Sequence, residues 1–328
     1  MDVQTQLPQL IDRQGRSITY LRLSVTDRCN FRCVYCSPAH WGGTKEMMTA
    51  AELERLVRVF ARLGTRRVRL TGGEPLLRPD LAEISRRISA IPGITRVALT
   101  TNASRLEQAA AELVQAGVSQ INVSLDTLKE ETFKKISPRG ELKNVIAGID
   151  ASARAGFASL KLNTVVMKGT NEQEIPDIVR FAHARGYTPR FIELMPFAGG
   201  EKVTNDEVLR MLAEAGLPAT EEAPFPSEQD AGPARYYRVA SGSIGLVSPM
   251  SRNFCSGCNR VRISSKGALR ACLGGRGEIH LGQRMREGAS DDTLVQEIRA
   301  ALALKDEGHQ FGTPEADKEL LTMMGIGG

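Results

Sequence analysis

At 328 residues the chain can bury a large core, and its length suits about two domains, although a single α/β barrel runs to ~250 residues. Its composition, 41% apolar and 25% charged, is that of an ordinary soluble protein, and it holds no apolar run of the ~20 residues needed to span a bilayer. The net charge of +5, from 43 basic and 38 acidic residues, admits an anionic ligand, but no basic run tracks a phosphate backbone, so neither membrane nor nucleic acid is expected as a partner.

Residues 1–14 lack the charged-then-apolar pattern of a signal segment, so a cytoplasmic location is expected, where thiols stay reduced and clustered cysteines bind metal rather than pair. Residues 21–25 read as a strand and lead into Cys29, Cys33 and Cys36, spaced C-x3-C-x2-C. Residues 51–63 place Leu53, Leu56, Val57 and Phe60 on one helical face. Strands at 67–70 and 96–101 flank a helix at 80–89. Ser104 and Glu107 carry a capping-box signature, Leu106, Ala110, Leu113 and Val114 line one face, and Gly117 acts as a stop.

A strand at 120–125, a helix at 142–154, a strand at 159–166, a helix at 173–185 and a strand at 190–194 complete the series. Six βα repeats argue for a parallel sheet in the α/β class. Polar or special residues gather just past the strands: the cysteines, residues 71–74 and 100–102, Ser124 with Asp126, and Met195. On a barrel these ends share the face where active sites are built. An open doubly wound sheet uses the same ends, so the alternation leaves both architectures available.

Beyond residue 198 the pattern weakens. Residues 199–200 and 219–233 read as connectors around a short helix at 205–215, followed by strands at 235–239 and 244–247. A second thiol group follows, Cys255, Cys258 and Cys272, then a helix at 291–304 and a polar tail ending in Gly327 and Gly328. All six cysteines thus fall into two groups of three.

Three is the informative number. A closed zinc site takes four protein ligands, and iron–sulfur clusters usually take four thiolates. Three thiolates on a four-iron cluster leave one iron open. A zinc site completed by His40 is the alternative for the first group, and a zinc ribbon short of one ligand for the second. Gly72, Gly73 and Glu74 make a turn that lets backbone approach a ligand, with a carboxylate for an ammonium group. Arg260 and Arg262 stand at alternate positions of a strand and so face the same way, where their forked donors suit an oxyanion. Arg22, Arg69 and Lys161 add cations on other strands and together suggest a polyanionic substrate.

The C-x3-C-x2-C motif with Tyr35 resembles the signature of radical S-adenosylmethionine (SAM) enzymes. Residues 21–33, 69–80, 122–128, 161–165, 190–196 and 255–262, with the Gly-Gly tail, are similar to those that cyclise GTP in molybdenum-cofactor biosynthesis. The resemblance implies an incomplete (βα)6 TIM-type barrel over residues 1–200 and an extension over 201–328 carrying a second 4Fe-4S cluster. It implies that Cys29, Cys33 and Cys36 hold the first cluster and Cys255, Cys258 and Cys272 the second. Tyr35, Gly73, Glu74, Ser124 and Met195 then bind SAM, and Arg22, Arg69, Thr100, Lys161, Arg260 and Arg262 bind GTP. Arg260 and Arg262 are also the catalytic residues it implies. A 5′-deoxyadenosyl radical takes the ribose 3′ hydrogen, and the carbon radical closes onto C8 of the base.

The family further implies an electron donor such as flavodoxin or ferredoxin, a downstream cyclic pyranopterin monophosphate synthase and a homodimer. Ser37 replaces the methionine that commonly follows the third cysteine, and Ala271 the proline that often precedes the last one. Two other readings compete: a different radical SAM enzyme with an auxiliary cluster, which typically carries more cysteines in its extension, and a non-enzymatic zinc module.

Overall fold

Six apolar runs become six strands: Tyr20–Thr26 (β1), Arg67–Gly72 (β2), Arg96–Thr101 (β3), Val118–Ser124 (β4), Ser159–Val166 (β5) and Thr188–Glu193 (β6). The structure is a computed structural model that describes residues 9–36, 46–196, 200–222, 232–275, 277–309 and 311. Ser37, His40, Gly327 and Gly328 lie outside the described residues. Strands β1 to β6 pair in chain order, each parallel to the next. Helices Ala50–Arg62 (α1), Leu81–Ser89 (α2), Leu106–Gln115 (α3), Glu130–Ile136 (α4), Leu142–Arg154 (α5) and Ile175–His183 (α6) fill the connections. Strand β2 is buried along all but its first residue although its sequence alternates: Val68 and Leu70 join the core, and Arg69 lines the cavity on the sheet.

The chain after residue 200 joins the same sheet. It supplies Asn205–Glu214 (α7), then Thr220–Glu221 (β7), Ala234–Val239 (β8), Gly242–Val247 (β9), Arg260–Ile263 (β10), Ala268–Arg270 (β11) and Ile279–His280 (β12). Leu281–Arg286 (α8) and Asp291–Ala303 (α9) follow. Strand β9 pairs in parallel with β6, and β10 in parallel with β1, so both edges of the first six strands are covered. Hairpin partners extend the sheet outward on each side, to twelve strands among the described residues. Helix α9 lies against α1 through exposed pairs such as Arg55–Asp291 at 2.8 Å. Such pairs contribute little, and the buried Leu294, Ile298 and Leu302 do more to hold the helix. No helix among the described residues is long and apolar enough to cross a membrane.

The structure adds β7, β11, β12 and α8, which the sequence reading did not expect, and within the six βα units it departs from expectation in three places. The capping box expected at Ser104 does not form: α3 begins at Leu106 without a side-chain cap. Ser104 instead donates to Asn102 Oδ1 at 2.7 Å and accepts from Asn30 at 2.9 Å, so its hydroxyl is spent tying strand β3 to the cysteine loop. Thr49 and Thr204, in extended backbone before α1 and α7, do form such boxes with Glu52 and Glu207. The helix expected at 173–185 opens as a short 3-10 turn, Glu172–Glu174, before α6. Helix α4 was not foreseen; its seven residues bury only Phe133 and Ile136, too few to give a periodic signal.

Candidate active site

A cavity of about 350 Å³ runs along the inward face of the sheet. Its wall includes Tyr20, Arg67 and Arg96 at the strand starts and Ser124, Met195 and the first cysteine group past the strand ends. Fourteen residues singled out from sequence line it: Cys29, Cys33, Cys36, Tyr35, Gly73, Glu74, Ser124, Met195, Arg22, Arg69, Thr100, Lys161, Arg260 and Arg262. Cys255, Cys258 and Cys272 stay just behind the wall, while their neighbours Phe254 and Leu273 reach it. The two cysteine groups lie toward opposite ends. Cys258 precedes Arg260, which is level with Tyr20 at the start of β1, whereas Cys29 follows the end of β1. The seven residues of β1 span ~20 Å.

The first cysteine group is partly buried and unpaired by disulfides. Burial raises the Cys29 thiol to about 11 and the Cys36 thiol to about 12, with nearby carboxylates and the other thiols adding to the rise. Cys33 is pushed higher still by burial and by Asp126, against a contact with Ser137 Oγ at 2.9 Å. Such thiols can bind a metal only by giving up their protons. Among the described residues no three His, Cys, Asp or Glu side chains converge on a single-ion site. A four-iron cluster asks less, because each thiolate meets a different iron. The donor set fits such a cluster.

The turn after β2 is shaped by close backbone approach. A Cβ on Gly72 would lie 2.1 Å from the Thr26 carbonyl oxygen, and one on Gly73 would lie 2.2 Å from that of Arg28. The Gly73 amide donates to Thr26 O at 2.9 Å and the Glu74 amide to Arg28 O at 2.7 Å, so this turn and the cysteine loop are stitched together. Glu74 is almost fully buried and accepts from Thr101 Oγ1 and the Asn102 amide, both at 2.7 Å, and from the Leu76 amide at 3.0 Å. Burial outweighs those bonds and raises its carboxyl to about 7. Tyr35 donates to Asp126 Oδ2 at 2.6 Å, which fixes the tyrosine against the end of β4. Burial raises Asp126 to about 6 despite that bond.

The cations form two rows across adjacent strands. Arg262, Arg22 and Arg69 are register partners on β10, β1 and β2; one level below, Arg260, Tyr20, Arg67 and Arg96 are aligned through to β3. Burial and the neighbouring Arg262 push Arg22 well below its ordinary value, and burial with Arg260 lowers Arg262 to about 10. Tyr20 receives a hydrogen bond from Arg69 Nε. Burial works against ionising its phenol, yet Arg69, Arg22 and Arg260 pull it below its ordinary value. Arg69 also donates to Thr100 Oγ1 at 3.3 Å.

Sequence reasoning gave no role to Arg67, Arg96 or Arg190. Arg67 and Arg69 repeat the Arg-x-Arg pattern of β10, a signal that was available. Arg190 is buried and donates twice to Asn163 Oδ1, at 2.9 and 2.7 Å, from its register position on the neighbouring strand.

The second cysteine group has its own cradle. The Cys258 amide closes a turn on the Cys255 carbonyl at 3.1 Å. A Cβ on Gly275 would meet the Cys272 Cβ at 2.9 Å, and one on Gly308 would come within 3.8 Å of Cys255 Sγ. Burial alone would raise the Cys258 thiol, but Arg260 and Lys305 hold it below its ordinary value. Three free thiols in a space kept open by glycine, with cations at hand, fit an anionic cluster.

Two family models match the chain: the radical SAM superfamily over residues 23–182, and Molybdenum Cofactor Synthesis C over residues 187–311. The chain is 44% identical to the GTP 3′,8-cyclase of Pseudomonas entomophila, over 92% of this chain and 93% of that one. It is 42% identical to GTP 3′,8-cyclase 1 of Pseudomonas aeruginosa, over 97% and 98%. Identity to the GTP 3′,8-cyclase of Caulobacter vibrioides is also 42%, over 93% and 89%. Among solved structures, SuiB of Streptococcus suis bound to S-adenosylmethionine superposes with a TM-score of 0.62 at 16% identity, covering 90% of this chain and 74% of that one, a likeness of fold.

Proposed function

The chain belongs to the GTP 3′,8-cyclase family of the radical SAM superfamily, and from that premise we propose how its cavity divides the work of cyclising GTP. The reaction is a radical SAM cyclisation in molybdenum-cofactor synthesis. An iron–sulfur cluster with SAM supplies a one-electron source and, through it, a hydrogen-abstracting 5′-deoxyadenosyl group.

Cys29, Cys33 and Cys36 hold that cluster at the strand ends. Tyr35, braced by Asp126, and Gly73, Glu74, Ser124 and Met195 hold SAM beside it. Glu74 keeps lone pairs beyond the three bonds it accepts, so it can orient a ligand amine while it shapes the turn. Arg22, Arg69, Thr100, Lys161, Arg260 and Arg262 hold GTP, with Arg260 and Arg262 also balancing charge as the new bond forms. Cys255, Cys258 and Cys272 hold a second 4Fe-4S cluster at the opposite end, against which the guanine rests. The first six strands act as an incomplete (βα)6 barrel, residues 1–200 as the radical-generating part and residues 201–328 as the part that presents the substrate.

The placement of two cysteine groups at opposite ends of one cavity, with rows of arginine along it, carries this reading. A phosphate chain bound between them sets the ribose toward the radical-generating end, while Phe254 and Leu273 give the wall at the other end an apolar surface for the base. The same reading includes a flavodoxin or ferredoxin as electron donor, release of product to a cyclic pyranopterin monophosphate synthase, a homodimeric state and a cytoplasmic location, on the strength of family membership. Anaerobic incubation with GTP, SAM and dithionite tests it. The expected products are 5′-deoxyadenosine and a cyclised GTP; 5′-deoxyadenosine formed equally without GTP would overturn the substrate.

A further inference from the structure

Lys305 stands two residues beyond α9 and is only 3% exposed, a rare situation for lysine. Its ammonium donates to the Arg260 carbonyl at 2.9 Å and to the Ala271 carbonyl, and lies 3.9 Å from Cys258 Sγ. These partners sit on the two segments that carry the second cysteine group: the turn that leads into β10, and the chain that leaves β11 for Cys272. One ammonium therefore ties the two segments together just beyond the end of the β10–β11 ladder, where Arg262 pairs with Arg270.

The next two residues are pinned as well. Arg16, in a buried pair with Asp12 at 2.6 Å, donates to the Cys255 carbonyl at 2.8 Å and to the carbonyls of Asp306 and Glu307 at 2.8 and 3.0 Å. Lys305 is thus held in place from both sides. Among the described residues no carboxylate forms an ion pair with it. A buried charge answered only by carbonyl dipoles is costly. Cys258 Sγ, 3.9 Å away, marks the side from which a cluster would bring the negative charge that answers it.

We propose that Lys305 is a positioning and charge-balancing residue for the second cluster, holding the Cys258 and Cys272 segments at the spacing the cluster needs and favouring its reduced, more negative state. The inference rests on the reading that Cys255, Cys258 and Cys272 hold a cluster. Net charge and hydrogen bonding around a cluster's sulfurs are what set its reduction potential. Removing a cation beside it lowers that potential; keeping the charge preserves it.

The test is a reductive titration followed by electron paramagnetic resonance, with iron analysis, on the full chain reconstituted anaerobically. Wild type, Lys305→Met, Lys305→Arg and a variant with Cys255, Cys258 and Cys272 all changed to Ser are compared. The triple serine variant identifies which signal and which iron belong to the second cluster. If its iron content equals that of wild type, the second-cluster reading fails and this inference falls with it. If it loses iron, Lys305→Met is expected to shift the second midpoint to a lower potential, or to lose that cluster, with the first unchanged. Lys305→Arg is expected to keep both the cluster and the midpoint near wild type. An unchanged second midpoint in Lys305→Met, or an Arg variant that behaves like Met, overturns the proposal.

Discussion

Arg22 on β1 and Arg262 on β10 face each other in register on neighbouring parallel strands, although most of the chain separates them in sequence. Like charges directly opposite one another destabilise a sheet, and both side chains are pulled below their ordinary basicity by burial and by neighbouring guanidinium groups. Both side chains line the cavity, where a bound anion would offset their charges.

Arg262→Met is therefore expected to act in opposite directions on the free and the liganded protein. Removing one of the facing charges raises the melting temperature of the ligand-free chain. Losing a charged hydrogen-bond donor worth ~1.5–3 kcal/mol weakens GTP binding by roughly ten- to a hundredfold. Thermal melts with and without GTP check both halves, and a variant with unchanged GTP stabilisation would remove Arg262 from the site.

Glu74 predicts a pH effect on stability. Its carboxyl rises from an ordinary 4.5 to about 7 in the fold, so the folded state favours the protonated form. The stability this contributes is fully present below 4.5 and is lost as pH rises through about 7. Glu74→Gln cannot ionise. Melting curves of the cluster-free protein should show wild type losing stability relative to the variant across that window, and a constant difference would contradict the assignment.

Gly73→Ala places a methyl group 2.2 Å from the Arg28 carbonyl oxygen, so the turn and the cysteine loop must separate. The expected cost is ~1–3 kcal/mol, as for overpacking elsewhere. Urea denaturation measures that cost. SAM binding should fall along with it, because the displaced loops carry both the glycine turn and the cysteines. Full SAM affinity in a destabilised variant would separate the turn from the ligand.

Iron removal should leave the fold in place. The core is a continuous set of Leu, Ile and Val side chains beneath the sheet, and the thiols lie at its margin. Chelation is expected to abolish visible charge-transfer absorption, keep the far-ultraviolet circular dichroism and lower the melting temperature. Because burial holds the Cys29 and Cys36 thiols at about 11 and 12, loading iron must release protons and should proceed further as pH rises. Loss of secondary structure on chelation would show that the clusters hold the fold.

The cysteine motif, the Gly-Gly-Glu turn and the Arg-x-Arg pair were legible because each is local. Three thiols within eight residues, or two arginines one residue apart on a strand, declare their joint direction by covalent spacing alone. Strand and helix periodicity likewise placed the six βα units, because each strand or helix must bury one face wherever it ends up. Ser104 shows the limit of such reasoning. Its sequence signature matched those of helix starts, but Asn30, brought in from the cysteine loop, and Asn102, two residues upstream, captured its hydroxyl.

Pairing between distant segments was beyond the reach of spacing. That β10 lies beside β1 and β9 beside β6 depends on which strand edges remain open after the first six have paired, and this edge pairing sets Arg262 against Arg22. Arg190 acquires its direction from Asn163 on the next strand, and Lys305 its burial from the turn and strand it bridges. The chain's own order therefore specifies the chemistry at each strand end, through short-range geometry. Which of those groups meet across one cavity is a matter of register and burial, which exist only once the sheet has formed.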